Sequence, residues 1–298
     1  MRKRKRLPAA TRLAHAVYIF FSAVCILPFV LLIVSSFADN ATLDLKGYTF
    51  FPSKWSLDAY RYIFFVNKDI YRAYGMSILV ALTGTLTGLI ASALLAYPLS
   101  RKDLKGRGVF TFIVFFTMLF NGGMVPSYLV YVRYLGIKNT IFAQLMPTLL
   151  VSGFNVMIMR TYFNNNIPQA VIDSARIDGA GEGRLFLSIV GPMSTPILGT
   201  VGLMIALGYW NNWYNGLIYI TNPRLYTVQN LLYKIMLEIQ FLMQSESMAS
   251  ESDSLIANIP ATTARMAMAV VGTLPMLLSF PFMQKYFAKG ITLGAVKG

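Results

Sequence analysis

The sequence predicts an all-α integral membrane protein with six transmembrane helices, on grounds of both composition and pattern. Of the 298 residues, 56% are hydrophobic and 13% are charged, whereas a soluble domain carries about 25% charged residues. The mean hydropathy is +0.56. The apolar residues also gather into separate runs, each long enough to cross a hydrocarbon core of ~30 Å as a helix. The excess apolar surface is therefore expected to face lipid.

A hydropathy window of about 19 residues finds six candidate spans, and none of them contains Asp, Glu, Lys or Arg. The spans cover residues 13–37, 74–98, 109–132, 139–159, 185–209 and 266–284. A cleavable signal peptide is the alternative for the first, since Ser36-Phe37-Ala38 is a passable cleavage site. Its apolar stretch, residues 16–34, exceeds the usual signal-peptide core of about 7–15 residues, which favours a span.

The charges of the loops between the spans predict the orientation. Six spans place both termini on one side, with the basic N-terminus 1–12, the loops 99–108 and 160–184, and the tail 285–298. This side holds 16 cations and 4 acids, and the other side holds 10 cations and 8 acids. Because Lys and Arg accumulate in cytoplasmic loops, the first side is predicted to be cytoplasmic. The net charge of +14 then reflects orientation and contact with anionic lipid heads, and no nucleic-acid partner is needed to explain it.

Several kinds of site are excluded by what the sequence lacks. A single cysteine, Cys25, and a single histidine, His15, cannot build a disulfide, a thiolate cluster or a multi-histidine metal site. There is no P-loop, no zinc-protease motif and no hydrolase nucleophile motif, and residues 179–183 read G-x-G-x-G rather than G-x-G-x-x-G. We therefore predict no catalytic, cofactor-binding or metal site. Because the spans carry no Asp, Glu, Lys or Arg for ion coupling, the energy for any transport is expected to come from a partner.

Polar and small residues inside the spans are candidates for packing and for a translocation path. Gly84 and Gly88 form a GxxxG pattern, which lets another helix approach closely. Asn121-Gly122-Gly123, followed by Pro126, predicts a break in the third span, with Asn121 either lining a path or marking a plain kink. Asn155 is a second polar residue at depth, in the fourth span.

An aromatic and amide cluster, residues 210–215, follows the fifth span on the predicted outer side. One interpretation is an aromatic belt at the membrane border. The other is carbohydrate contact, because aromatic faces stack on sugar rings and amides bond hydroxyl groups. Under the second interpretation Tyr209, Asn211 and Asn212 join Asn121 and Asn155 as translocation-path residues.

The stretch DSARIDGAGEGRLFLSIVGP, residues 173–192, resembles the EAA loop of the permease subunits of bacterial ABC importers. The family pattern is E-A-A-x-x-D-G-A, followed further on by I-x-L-P. Asp173 matches the glutamate conservatively, and the outright matches are Ala175, Asp178, Gly179, Ala180, Ile189 and Pro192. Ser174 replaces the first alanine and Gly191 replaces the leucine of the second pattern.

The resemblance extends over residues 7–298. The stretches LFNGGMVPSYLVYVRYLGIKNT and GYWNNWYNGLIYI and the tail KGITLGAVKG are similar to carbohydrate-uptake permeases, in particular to the branch for acidic oligosaccharides of alginate or pectin type. The resemblance implies a type I ABC importer permease fold in residues 13–284 and a multi-pass protein of the bacterial inner membrane. It also implies four partners and a solute: a second permease, two cytoplasmic ATPases that bind the ATP, an external solute-binding protein and an oligosaccharide substrate.

In this family the EAA loop, here residues 168–192, forms a short helix that docks in a cleft of the ATPase. The local sequence suits that role, because Pro168 can start a helix, residues 169–180 can form a few turns, and the following glycines can stop it. The predicted ATPase-coupling residues of this loop are Asp173, Ser174, Ala175, Arg176, Asp178, Gly179 and Arg184. Arg176 and Asp178 offer charged contacts to the partner. By the same resemblance, the tail 285–298 reaches toward the ATPase dimer. A permease for a non-sugar solute, an integral-membrane enzyme and a structural scaffold remain the alternatives.

Overall fold

The computed structural model describes residues 9–66, 69–147, 149–246 and 261–295. Residues 1–8 of the predicted basic N-terminus and residues 296–298 of the predicted tail lie outside them. The helices are α1 (Ala9–Ser36), α2 (Asn40–Lys46), α3 (Asp58–Arg61), α4 (Asp69–Ser100), α5 (Arg107–Leu119), α6 (Met124–Leu129), α7 (Phe142–Leu145), α8 (Gly153–Asn166), α9 (Gln169–Ile177), α10 (Glu182–Leu185), α11 (Gly191–Met193), α12 (Thr195–Trp210), α13 (Tyr214–Tyr219), α14 (Val228–Glu246) and α15 (Ala261–Ala295). Within the described residues the only extended pairing is an isolated bridge between Ala38 and Trp55, so the all-α prediction is confirmed.

Some of the predicted spans are continuous helices and others are bent. Two helices in the described residues are long and apolar enough to cross a membrane, Leu13–Ser36 and Asp69–Ser100. Two bent pairs would each supply a further span if counted as one, Arg107–Leu119 with Met124–Tyr134, and Glu182–Met193 with Thr195–Trp210. The count of six spans therefore stays a prediction. The backbone of α15 continues to Ala295, so residues 285–295 of the predicted tail prolong the last helix.

The break predicted in the third span is present. Helix α5 ends at Leu119 and α6 begins at Met124. The segments Arg107–Leu119 and Met124–Tyr134 differ in direction by 113°. Gly123 has a φ of +85°, a left-handed conformation that favours glycine. The Asn121 side chain accepts a hydrogen bond from the Gly123 amide at 2.8 Å, which satisfies one of the main-chain groups freed by the break.

The prediction of one helix over residues 139–159 is wrong. The structure has the short helix Phe142–Leu145, an irregular stretch that contains Pro147, and then the helix Gly153–Asn166. Proline removes an amide donor and clashes with the preceding turn, so it ends a helix unless neighbours compensate. The break interrupts the regular helical bonding of main-chain carbonyls, and lipid cannot satisfy the groups it releases. The Pro147 carbonyl accepts one local bond, from the Leu149 amide at 2.9 Å.

Two distant side chains bond those carbonyls. Asn215, fully buried, donates through Nδ2 to the Pro147 carbonyl at 3.0 Å and to the Gln144 carbonyl at 3.4 Å. The hydroxyl of Tyr209, which is 2% exposed, donates to the Leu145 carbonyl at 2.9 Å. The irregular backbone is therefore stabilised from α12 and α13, as membrane-depth breaks require.

The described residues within 69–234 and 275–298 form one compact unit, in which α4 packs against α12 and α8. The predicted close approach at the GxxxG pattern is confirmed. A Cβ at Gly84 would lie 2.5 Å from the ring of Tyr209, and one at Gly88 would lie 3.0 Å from the Leu150 carbonyl oxygen. Only glycine leaves room for these contacts, since larger side chains would overlap the neighbouring atoms.

The described residues within 1–68 and 235–274 form the other unit. Asp39 caps α2 by accepting a hydrogen bond from the Thr42 amide at 3.3 Å. Asn40, the first residue of that helix, accepts hydrogen bonds from the amides of Thr262 and Thr263, both at 3.1 Å. This side chain satisfies amides of the first turn of α15, which have no partner within the helix.

Candidate functional site

The EAA-like loop contains a short amphipathic helix, α9. It starts at Gln169 directly after Pro168 and ends at Ile177, three residues earlier than the predicted stretch of turns. Within it, Gln169 Nε2 donates to Asp173 Oδ1 at 2.9 Å, an i,i+4 pair on one face. On the opposite face Ile172 and Ala175 are buried, 4% and 9% exposed, and both belong to the apolar core around α4 and α8.

The C-terminal end of α9 is a Schellman motif. The Gly179 amide donates to the Arg176 carbonyl at 3.0 Å, and the Ala180 amide donates to the Ala175 carbonyl at 2.9 Å. Gly179 has a φ of +80°, the left-handed conformation that this motif needs at its turning residue. The glycine therefore ends the helix, as predicted, and it turns the chain toward α10.

The predicted coupling residues divide between the two sides of α9. Asp173, Ser174 and Asp178 are exposed on the helix and its end, whereas Ala175 faces the core. Arg184 is exposed on α10. Ile177 was not singled out from the sequence, yet it is an exposed large apolar side chain at the end of α9, with 87% of its surface accessible.

Arg176 does not project freely from the loop. One guanidinium nitrogen, Nη2, donates to Asp103 Oδ2 at 2.7 Å and to Glu182 Oε1 at 2.5 Å. The hydroxyl of Tyr97, on α4, donates to the other oxygen of Glu182 at 2.6 Å. We call Tyr97, Asp103, Arg176 and Glu182 the Arg176 ring. The main chain from Tyr97, through the end of α4 and the loop that follows, to Asp103 completes the closed path.

The ring joins four segments of the chain. Tyr97 lies in the last turn of α4, Asp103 in the loop before α5, Arg176 on α9 and Glu182 at the start of α10. Arg101, 7% exposed, adds an ion pair with Asp103 at 3.5 Å. These residues border a cavity of about 480 Å³ whose remaining walls are largely apolar, formed by Leu94, Pro98, Leu104, Gly183 and Phe186.

The electrostatics of the ring keep its ion pairs charged. The hydrogen bond from Arg176 holds the pKa of Asp103 below its ordinary value. The bonds to Glu182 and then to Asp103 raise the pKa of the Arg176 guanidinium. Hydrogen bonds to the charged form of a group favour that form, so both partners remain ionised at neutral pH.

Sequence reasoning missed Tyr97, Asp103 and Glu182. A weak signal existed, because only 4 acids fall on the predicted cytoplasmic side against 16 cations. Two of the four acids are the partners of Arg176. Nothing in a linear pattern links Asp103 to Arg176, however, because 73 positions separate them.

Three of the predicted translocation-path residues lie together around the C-terminal end of α12. Tyr209 is buried, and its hydroxyl is used by the Leu145 carbonyl. Asn211 is exposed and caps the helix. Asn212 accepts a hydrogen bond from the Asn215 amide at 3.1 Å. Their role in translocation stays a prediction.

The other two translocation-path candidates lie on different elements. Asn121 is exposed at the break between α5 and α6, where its side chain bonds the Gly123 amide. Asn155 is buried in the first turn of α8, with 8% of its surface accessible. A path formed by all five residues is likewise a prediction.

Comparison with known proteins finds relatives that match almost the whole chain. It is 40% identical over 286 residues to the polygalacturonan/rhamnogalacturonan transport system permease protein YtcP of Bacillus subtilis (strain 168), covering 96% of this chain and 97% of that protein. The protein LplC of the same organism is 36% identical, with 93% and 90% covered. The chain belongs to the permease subunits of carbohydrate ABC importers.

A solved structure agrees with this assignment. The permease matches a chain in the crystal structure of a bacterial ABC transporter involved in the import of the acidic polysaccharide alginate, with a TM-score of 0.78 and 26% identity, covering 95% of this chain and 99% of that one. No protein-family model matches the sequence. The predicted importer-permease fold is confirmed, and the permease is a membrane-embedded transport subunit rather than an enzyme.

Proposed function

We propose that this permease pairs with a second, homologous permease and two ATPases in an importer that receives its solute from an external binding protein. It lies in the bacterial inner membrane with both termini in the cytoplasm, as the distribution of cations among the loops favours. The observation that carries the proposal is α9, a helix with its inner face in the core and its outer face exposed. That is the arrangement of a helix that docks a partner while staying attached to its own bundle.

The residues that contact the ATPase are those on the exposed side of α9. They are Asp173, Ser174, Ile177 and Asp178. Ile177 is the apolar anchor of this set, because a large exposed side chain that enters a pocket supplies most of the binding energy at such interfaces. Ala175 and Arg176 act from behind, through contacts within the permease. Gly179 holds the end of the helix in place.

Variants at Ile177 test the docking face. Ile177→Asp places a charge at the centre of the interface, whereas Ile177→Leu preserves the apolar volume. We expect the ATPase to co-purify with the leucine variant at the wild-type ratio and to be lost from the aspartate variant. Because Ile177 is 87% exposed in the permease alone, neither change should alter its own unfolding temperature. An aspartate variant that still retains the ATPase and imports solute normally would contradict the proposal.

We propose an acidic oligosaccharide, derived from pectin or alginate, as the solute. The support comes from the substrates named for similar proteins, polygalacturonan and rhamnogalacturonan for the relative at 40% identity and alginate for the structural match. The test is the ATPase activity of the assembled importer in the presence of its binding protein. Loading that protein with oligogalacturonate or alginate oligosaccharide should stimulate activity. Stimulation by a neutral arabino-oligosaccharide alone would place the permease in another substrate branch.

A further inference from the structure

The strongest unassigned feature of the permease is the Arg176 ring, which connects α9 to the cytoplasmic end of α4 by side chains alone. The covalent connections of α9 to its neighbours are turns, Pro168 on one side and Gly179 on the other. A turn transmits force poorly because its backbone can rotate. The bond of Arg176 to Glu182, at 2.5 Å, crosses the turn at Gly179, and its bond to Asp103, at 2.7 Å, links α9 to the loop that follows α4.

We infer that Arg176 is a positioning residue that makes α9, the end of α4 and the start of α10 move as one body, so that displacement of α9 by the ATPase reaches the membrane helices. This inference rests on the proposed docking of α9. It assigns Arg176 an intramolecular role in place of the partner contact that the motif match implies.

The geometry favours a mechanical role over a stabilising one. The side chains of Arg176, Asp103 and Glu182 are 37%, 51% and 54% exposed. Ion pairs this accessible to solvent contribute little to folding stability, since water screens the charges. They can still fix the distance between α9 and its two neighbours, the loop before α5 and the start of α10, because a guanidinium held by two carboxylates has few alternative positions. Loss of the ring should therefore affect coupling more than stability.

Tyr97 connects the Arg176 ring to the core of the bundle. Tyr97 bonds Glu182 at 2.6 Å, and its ring packs on Phe186 with centroids 5.2 Å apart. Helix α4 packs against α12 and α8, so a shift at its end is carried along a rigid element to the helices around the translocation path. Coupling through packed helices and hydrogen-bond networks of this kind is modulated by mutation without loss of either site.

The test uses the assembled importer in lipid nanodiscs, with Arg176→Gln, Asp103→Asn and the double variant. Three quantities are measured, namely ATPase co-purification, the unfolding midpoint and the ratio of ATPase activity with loaded binding protein to basal activity. We expect co-purification and midpoint to match the wild type and the stimulation ratio to fall by about 2- to 30-fold in each single variant. The double variant should lose no more than Arg176→Gln alone, because that change already removes the bond to Asp103.

Two controls sharpen the result. Lys105→Gln removes an exposed cation from the loop that carries Asp103 and should leave the stimulation ratio unchanged. Arg176→Lys retains a donor that can reach one carboxylate and should restore part of the ratio. If Arg176→Gln lowers the unfolding midpoint, Asp103→Asn decides the question, because its half-exposed carboxylate can be neutralised without a change of shape.

Two outcomes would overturn the inference while leaving the docking proposal intact. If Arg176→Gln loses the ATPase and Asp103→Asn keeps both ATPase and stimulation, Arg176 contacts the ATPase itself. If every ring variant retains the wild-type stimulation ratio, the ring is a surface ion-pair network without a part in coupling. Failure of the docking proposal has a different signature, normal ATPase retention by Ile177→Asp.

Discussion

Gly179 offers a graded test of the EAA-like loop, because its environment separates backbone strain from steric overlap. Its φ is +80°, and no atom lies within 4 Å of the position that a Cβ would occupy. An alanine at this position therefore meets no neighbour, and its whole cost is the left-handed backbone, about 1–2 kcal/mol for an L-residue. Asparagine tolerates this conformation better than alanine. Proline fixes φ near −65° and has no amide donor, so it cannot form the bond from Gly179 to the Arg176 carbonyl.

These costs predict an order of activity rather than a single loss. A strain of about 1–2 kcal/mol lowers the ratio of the capped to the frayed end of α9 by about 5- to 30-fold, and coupling should fall by at most that factor in Gly179→Ala. Gly179→Asn should stay near the wild type, and Gly179→Pro should uncouple transport. The assay is solute import into proteoliposomes per ATP hydrolysed, at equal expression and assembly. Equal losses in the alanine and asparagine variants would refute the conformational argument, and wild-type import by the proline variant would refute the role of the loop.

Three further predictions follow from the packing and the charges. Asn215→Leu should lower the free energy of unfolding by about 1–3 kcal/mol, because the buried Gln144 carbonyl loses its side-chain donor. The Pro147 carbonyl keeps the bond from the Leu149 amide. Asn211→Ala, at an exposed neighbour, should change the thermal midpoint little. Gly84→Ala should destabilise the permease by about 1–3 kcal/mol through overlap with the Tyr209 ring. As a control on the same helix, Gly75→Ala has no atom within 4 Å of its Cβ and should be neutral or slightly stabilising in the same melting assay. The pKa of Asp103 is lowered in the folded protein, so the contribution of this carboxylate to stability is present above its unfolded pKa of about 3.9 and is lost as the pH falls through the lower folded pKa. The ring-dependent part of the stimulation ratio should therefore stay constant between about pH 8 and 5. A decline of that part near pH 6 would contradict the assignment.

The parts of the fold that the sequence predicts well are those encoded by neighbouring residues. The break before Pro126 follows from Gly122 and Gly123, which cannot sustain a helix, and the end of α9 follows from Gly179. The close approach at Gly84 follows from the spacing of two small residues on one helical face. In each case the physical cause lies within a few positions of its effect.

The parts that could not be predicted depend on residues far apart in the chain. Pro147 gives no indication whether a helix will bend or stop, because the answer depends on whether another element can bond the freed carbonyls. The partners that do so, Asn215 and Tyr209, lie 64 to 71 positions away. The Arg176 ring likewise depends on residues far apart in the chain. The sequence predicts that Arg176 contacts an outside partner, whereas in the structure it donates a hydrogen bond to Asp103, in the loop before α5.

The bonding of the broken segment around Pro147 has a consequence for changing the solute specificity of this permease. Substitutions at Tyr209 or Asn215 will reduce import by loosening the backbone of a neighbouring segment, and a screen that scores only growth on a sugar would misread them as recognition residues. Asn211, exposed at the end of α12, is the position in this cluster where side-chain chemistry can be varied without that penalty. Libraries built to redirect the importer should vary Asn211 and keep the two buried residues fixed.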